Sequence, residues 1–218
     1  MLAVLGLGVG RRFRFLDLGT GTGSLSERIL RRFPEARGVA VDYDPVLLRM
    51  ARTALGDLGG RVRWVDADLR DRSWSRVVPA GRFDAVVSST ALHWLTGGEL
   101  DGLYRALAAR VRRGGLFLNA DELRYPGTDR RLRRMAHSTR ASAARKGDES
   151  WEDWWAAVEH DPHFAAEVEL RRQRYPHSHQ GTNTPDLRGH ERRLRAAGFA
   201  EVDVVWSRWE NRILAAIR

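Results

Sequence analysis

Four short stretches carry residues that could do chemistry. The first, Asp17-Leu18-Gly19-Thr20-Gly21-Thr22-Gly23, alternates glycine with small polar residues between an apolar run and the periodic Leu25, Ile29 and Leu30. Such a loop lets a ligand approach the main chain closely, because glycine has no Cβ to obstruct it. It also feeds a helix start, whose first N–H groups have no partner inside the helix and attract anionic or polar ligand groups. The second is Asp42, at the end of the next apolar run. An acid about twenty residues past a glycine loop can accept hydrogen bonds from both hydroxyls of a ribose. The third is Val65-Asp66-Ala67-Asp68-Leu69 and the fourth Ser88-Ser89, followed by His93, a residue type suited to proton transfer.

Spacing decides what the glycine loop can be. A dinucleotide loop needs Gly-x-Gly-x-x-Gly, whereas here the sixth position is Ser24 and the third glycine comes one place early at Gly23. A phosphate-cradling P-loop needs Gly-Lys-Ser/Thr, and the loop holds no lysine. What remains is acidic-x-Gly-x-Gly-x-Gly from Asp17 to Gly23.

The elements that must position these residues follow from hydrophobic periodicity. Strands are expected at Phe13 to Leu18, Arg37 to Asp42, Arg61 to Asp66, Phe83 to Ser88 and Leu116 to Ala120. Helices are expected between them: after the glycine loop through Arg32, from Pro45 to about Leu58, weakly around Trp74 to Val78, and from Glu99 to Val111. Pro45 suits a first helical turn with Asp44 as its cap, and Gly114 or Gly115 is expected to end the last helix in a left-handed turn. The first twelve residues promise only a short arm. Alternating strand and helix implies a parallel sheet with helices on both faces, because right-handed crossovers leave little alternative. Ligands then bind beyond the carboxyl ends of the strands, which brings Asp17, Asp42, Asp66 and Ser88-Ser89 to one crevice. From Leu194 to the end the pattern reads helix, strand, turn, strand, and two strands so close in sequence must be antiparallel neighbours.

In order, these stretches resemble the signposts of the class I S-adenosylmethionine-dependent methyltransferases of small-molecule type. Asp17 to Gly23 resembles the family's first motif, Gly38 to Pro45 its second strand, Val65 to Leu69 its third, and Arg82 to Leu95 its fourth strand with the following loop. The resemblance implies an α/β, doubly wound, Rossmann-like sheet of seven strands, mostly parallel with an antiparallel last strand, and S-adenosyl-L-methionine as cofactor. It implies cofactor contacts from Asp17, Gly19, Thr20, Gly21, Thr22, Gly23, Asp42, Tyr43, Ser88 and Ser89. Asp66 would take the adenine amino hydrogen and the Ala67 N–H a ring nitrogen, with Asp68 beside them. His93 is the candidate base for a hydroxyl acceptor, whereas a carboxylate acceptor needs none and could be oriented by an arginine such as Arg124. Amino-directed DNA methyltransferases carry Asx-Pro-Pro-aromatic after strand four; here that place reads Ser88-Ser89-Thr90-Ala91, which disfavours a nucleobase acceptor.

The one domain is expected to carry a helical insertion over residues 121–188, acting as lid and acceptor-binding segment between strand five and the C-terminal strand pair. Within it, residues 124 to 146 are rich in arginine and residues 148 to 169 in acids, which suggests two packed helices of opposite charge. Trp151, Trp154 and Trp155 put large apolar area on one helix face, for packing or for a pocket wall. His177 and His179 have no carboxylate at metal-ligand spacing, so no metal is expected.

The 218-residue chain has a net charge of +9 and no cysteine, which excludes disulfides and thiolate metal sites. Nearly all the positive charge is arginine spread among acids, a pattern that argues against a nucleic-acid partner. The expected partner is a small-molecule acceptor, and no membrane segment is foreseen, so the expected location is cytoplasmic. The short stretch before strand one leaves three ways to treat the pocket: open, closed by a homodimer partner, or covered by the insertion. An RNA- or protein-modifying enzyme, and an S-adenosyl-binding protein without transferase activity, are the alternative functions.

Overall fold

The computed structural model describes residues 1–124, 150–175 and 185–218, together with Arg131, Arg134, Met135 and Ser138. Its sheet holds strands β1 (Arg14–Leu18), β2 (Arg37–Asp42), β3 (Val62–Asp66), β4 (Phe83–Ser89), β5 (Val111–Glu122), β6 (Glu201–Arg208) and β7 (Asn211–Ile217), in the order β3-β2-β1-β4-β5-β7-β6. β1 to β5 are parallel, and β7 runs antiparallel to both β5 and β6. This is the expected α/β sheet. The order reverses between β1, with β2 on one side, and β4 on the other, so the crevice opens beyond Leu18 and Ser88, which are paired.

Helices α1 (Leu2–Val9), α2 (Ser24–Arg32), α3 (Pro45–Leu55), α4 (Trp74–Val77), α5 (Gly97–Arg110), α6 (Trp151–His160), α7 (Ala165–Arg174) and α8 (Leu187–Ala196) cover both faces. One core layer joins Leu16, Leu18 and Val86 to Tyr104, Leu107 and Leu194. The other joins Phe15, Ala85 and Leu118 to Leu5, Ile29 and Phe33. Adjacent strand residues alternate between these layers, as the period of two requires.

Three expectations are corrected. The opening residues form a helix rather than an arm: Leu5 is fully buried, and the helix lies so close to the sheet that a Cβ on Gly8 would come within 2.9 Å of Leu116 Cδ2. Its glycines depress helix propensity, yet they permit that approach. α3 stops at Leu55 rather than Leu58, with Gly56 following it. Gly114 and Gly115 do not end α5; Val111 caps that helix and already pairs with Phe83 as the start of β5. Gly114, at φ 70°, instead turns the backbone inside β5, donating its N–H to the Arg218 carbonyl.

Between β5 and α8, α6 and α7 pack on α3 through Val46, Val158 and Val168, flanked by Met50, Trp154, Trp155 and Phe164. The expected cationic helix over residues 124–146 falls almost wholly outside the described residues, as do His177 and His179. No helix among the described residues is long and apolar enough to cross a membrane.

Candidate active site

The glycine loop folds over the end of β1 by short-range bonds. Gly19 and Gly21 adopt φ of 64° and 57°, and a Cβ on Gly19 would sit 2.3 Å from the Ala91 Cβ. A side chain there is excluded twice, by backbone handedness and by space. Beneath the loop, Asp17 is buried; its Oδ2 accepts from Thr20 Oγ1 at 2.8 Å and Ser26 Oγ at 2.7 Å, while Oδ1 has no partner among the described residues. Burial outweighs these hydroxyl bonds and pushes the Asp17 carboxyl up to about 6.

Asp42 ends β2 with its carboxylate turned toward the loop. Oδ2 accepts from the Gly21 N–H at 2.7 Å, and Oδ1 from the N–H groups of Tyr43 and Asp44 at 2.8 and 2.9 Å. Desolvation raises its pKa against these three donors. The carboxylate therefore locks the loop to the second strand and keeps spare lone pairs for a ligand. Asp44 caps α3, accepting from Val46 N and Leu47 N.

At the end of β3 the structure rearranges the expected roles. Asp66 is not brought to the cavity wall; Arg174 of α7 holds it at 2.8 and 2.9 Å through both oxygens. The Ala67 N–H extends the ladder to the Asp42 carbonyl at 2.9 Å, so it is not available to a ring nitrogen. Ala67 and Asp68 do line the cavity, and Asp68 is gripped by Arg70 at 2.6 to 3.0 Å. Asp66 and Asp68 stand two positions apart, so a period of two would give both the same side and their spacing cannot rank them.

Ser88, also expected at the cofactor, is fully buried and donates to the Leu18 carbonyl at 2.8 Å, away from the cavity; Ser89 lines it. Gly23 likewise serves as the left-handed residue before α2 and does not line the cavity. His93 lies on a one-turn 3-10 helix, Leu92–Trp94. Its Nδ1 is 2.7 Å from Asp121 Oδ1, and its N–H donates to Oδ2 at 3.0 Å. Its neighbours Ala91, Trp94 and Leu95 line the cavity; His93 itself does not.

These parts enclose a cavity of about 920 Å³ beyond the carboxyl ends of β1 to β4. Asp17, Gly19, Thr20, Gly21, Thr22, Asp42, Tyr43, Ala67, Asp68 and Ser89 are brought together there, as the resemblance implies. Trp151, Trp154 and Trp155 form one wall, with Trp154 and Trp155 also packing on the α3 cluster. Arg28, Arg70, Thr90, Arg171 and Tyr175 line it as well, and Asp121 stands behind His93; no sequence motif singles out their roles. Only Arg28 is placed by pattern, one turn into the helix that the glycine loop opens.

Residues 15–115 match the protein family described as a methyltransferase domain. Trans-aconitate 2-methyltransferase of Azoarcus sp. is 33% identical over 119 residues, which is 55% of this chain and 43% of the relative. Malonyl-[acyl-carrier protein] O-methyltransferase of Magnetococcus marinus is 30% identical over 105 residues, 48% of this chain and 36% of the relative. The chain thus spans less than half the length of the curated relatives it matches. Among solved structures, an O-methyltransferase family protein from Burkholderia thailandensis superposes with a TM-score of 0.64 at 23% identity, over 100% of this chain and 55% of the other, a likeness of fold. A Rossmann-like sheet with a crevice at its glycine loop defines the class, that of doubly wound α/β proteins. With the matched domain added, the chain is similar over residues 15–115, a little under half its length, to the methyltransferase family.

The cavity fits the cofactor of that family. Its most telling feature is Asp17 Oδ1, a buried acceptor under the glycine loop with no partner among the described residues, suited to an ammonium group.

Proposed function

We propose that the chain is a methyltransferase using S-adenosyl-L-methionine and a small-molecule acceptor, with a carboxylate favoured as the methylated group over a hydroxyl or a nitrogen. The observation that supports it most is the meeting of the glycine loop, Asp42 and Asp68 around one cavity that Trp94 and the three tryptophans of α6 wall off. In this reading Asp17 receives the cofactor's ammonium, Gly19 to Thr22 flank its amino-acid tail, Asp42 holds the ribose and Asp68 the adenine amino group. When bound, the cofactor supplies a sulfonium methyl open to direct displacement, and the protein's part is orientation and exclusion of water.

The acceptor class follows from what faces the remaining space. Arg28 offers a guanidinium to a carboxylate, a group already ionised and nucleophilic, which needs no base. His93 is off the cavity wall, although Asp121 on Nδ1 favours the tautomer whose Nε2 accepts a proton; it serves as base only for a hydroxyl acceptor. The relatives named for trans-aconitate and a malonyl group act on compounds bearing carboxylates, which supports the same choice. The segment between β5 and α8, residues 123–186 rather than the expected 121–188, is the helical lid in this reading, with α6 and α7 its described part.

The test is formation of S-adenosylhomocysteine from S-adenosylmethionine across a panel of small carboxylic acids, phenols and amines. Turnover with carboxylic acids is expected, and Arg28→Gln should raise the acceptor KM about tenfold with little change in S-adenosylhomocysteine affinity. Turnover confined to phenols or amines would overturn the acceptor assignment.

A further inference from the structure

The end of α7 reaches the cleft at β2 and β3. Arg171 Nε donates to Asp44 Oδ2 at 2.6 Å, and its guanidinium lies 3.8 Å from the centre of the Trp155 ring. Arg174 clasps Asp66, donates to the Tyr43 carbonyl at 2.6 Å, and sits 4.5 Å from the Tyr43 ring centre. Both pairs are partly shielded: Arg174 is 18% exposed, and Asp44 only 8%. The last turn of α7 is thereby tied to the two strand ends that bound one end of the cavity.

The next residue is Tyr175, which lines that cavity. Its ring meets Tyr43 edge to face at 5.7 Å, and the Arg70 guanidinium lies 5.5 and 5.9 Å from the two ring centres. Burial raises the pKa of the Tyr175 hydroxyl well above its ordinary value, so the ring stays neutral at any working pH. Neutral aromatic faces beside guanidinium groups are what a planar heteroaromatic base stacks on. Asp68, held by Arg70 on the same wall, adds an acceptor for an exocyclic amine.

We infer that Tyr175, set in place by Arg171 and Arg174, is an adenine-binding residue, so that α7 reads the cofactor rather than only covering the acceptor. The inference rests on the methyltransferase reading above. It assigns Tyr175 direct contact with the base, and the two arginines a positioning role through Asp44 and Asp66.

Calorimetric titration of the full chain with S-adenosylhomocysteine and with 5′-methylthioadenosine, which lacks the amino-acid tail, tests it. Tyr175→Ala should weaken both ligands by the same factor, about tenfold, since only the shared adenosine end is affected. Tyr175→Leu, which keeps apolar volume without a π face, should do the same, and Tyr175→Phe should stay within about twofold of the parent. Equal binding by parent, Ala and Leu variants would overturn the inference and leave the methyltransferase reading intact. A loss seen with S-adenosylhomocysteine but not with 5′-methylthioadenosine would also overturn it, by placing Tyr175 at the tail. A parent chain that takes up neither ligand would overturn both.

Discussion

The two walls of the cleft are built by different means. On the glycine-loop wall, Asp17 reaches Thr20 and Ser26, three and nine positions away, and Asp42 reaches Gly21 across 21 positions. Where α7 meets the ends of β2 and β3, Arg171 and Arg174 reach Asp44 and Asp66 across 127 and 108 positions. The first wall is backbone shape, fixed by residues that must be small; the second is side-chain charge, fixed by long arms that could have met other acids. Substitutions on the first wall should therefore act on the fold and the ligand together, and those on the second more gently.

Gly19→Ala is the harshest way to test this. The added Cβ meets both a left-handed φ and the Ala91 methyl, at a cost of about 2–5 kcal/mol in stability by urea unfolding, with S-adenosylhomocysteine uptake lost. A Gly19→Ala protein as stable as the parent would break the claim that this wall is set by shape.

Next in size comes a pair of opposed titrations. The Asp17 carboxyl, raised to about 6 in the folded state from an ordinary 3.8, favours folding when protonated, so its contribution is lost as pH rises from about 4 through 6. His190 is buried with its Nδ1 2.7 Å from the Tyr104 hydroxyl, and burial lowers its pKa to about 4. Its contribution runs the other way, fully present above the unfolded value of 6.5 and lost as pH falls through 4. Each is worth roughly 3 kcal/mol, so the parent should show a shallow profile between pH 4 and 6.5. Asp17→Asn should unmask a stability that climbs with pH in denaturant titrations, and a variant profile no steeper than the parent's would show that Asp17 is not held up by burial.

Asp42→Ala removes the tie to Gly21 and the acceptor proposed for the ribose, and should weaken S-adenosylhomocysteine by about 1–3 kcal/mol in calorimetry. Unchanged affinity would sink its role. The mildest change is Arg49→Ala, which breaks a pair to Glu167 between α3 and α7 whose members are 41% and 23% exposed. We expect less than about 1 kcal/mol in thermal unfolding, a loss that shrinks further in high salt. A larger effect would mean the charged wall is as unforgiving as the glycine one.

Much of the first wall is legible in the order of residues. Asp17, the loop residues and Asp42 occupy fixed offsets from strand ends, and a period of two leaves little freedom in where a strand end points its acid. Asp44 as a cap is legible for the same local reason, and the structure shows it accepting from Val46 and Leu47. The choice between Asp66 and Asp68 is not, because both stand where the strand stops and only the arrival of Arg174 and Arg70 separates them. α1 is hidden from a sequence reading since its glycines look like flexibility until Leu116 is seen lying against one of them.

By itself, then, the order of residues determined the sheet, its crevice and the half of the site that a single βαβ unit builds, since these depend on periodicity and on spacings of a turn or two. Only tertiary structure decided that Ser88 and His93 stand off the cavity, that Asp121 backs the histidine, and that α7 delivers Tyr175 beside Tyr43. Such pairings join segments distant in the chain through flexible side chains, and no local rule of backbone geometry selects which arginine meets which acid.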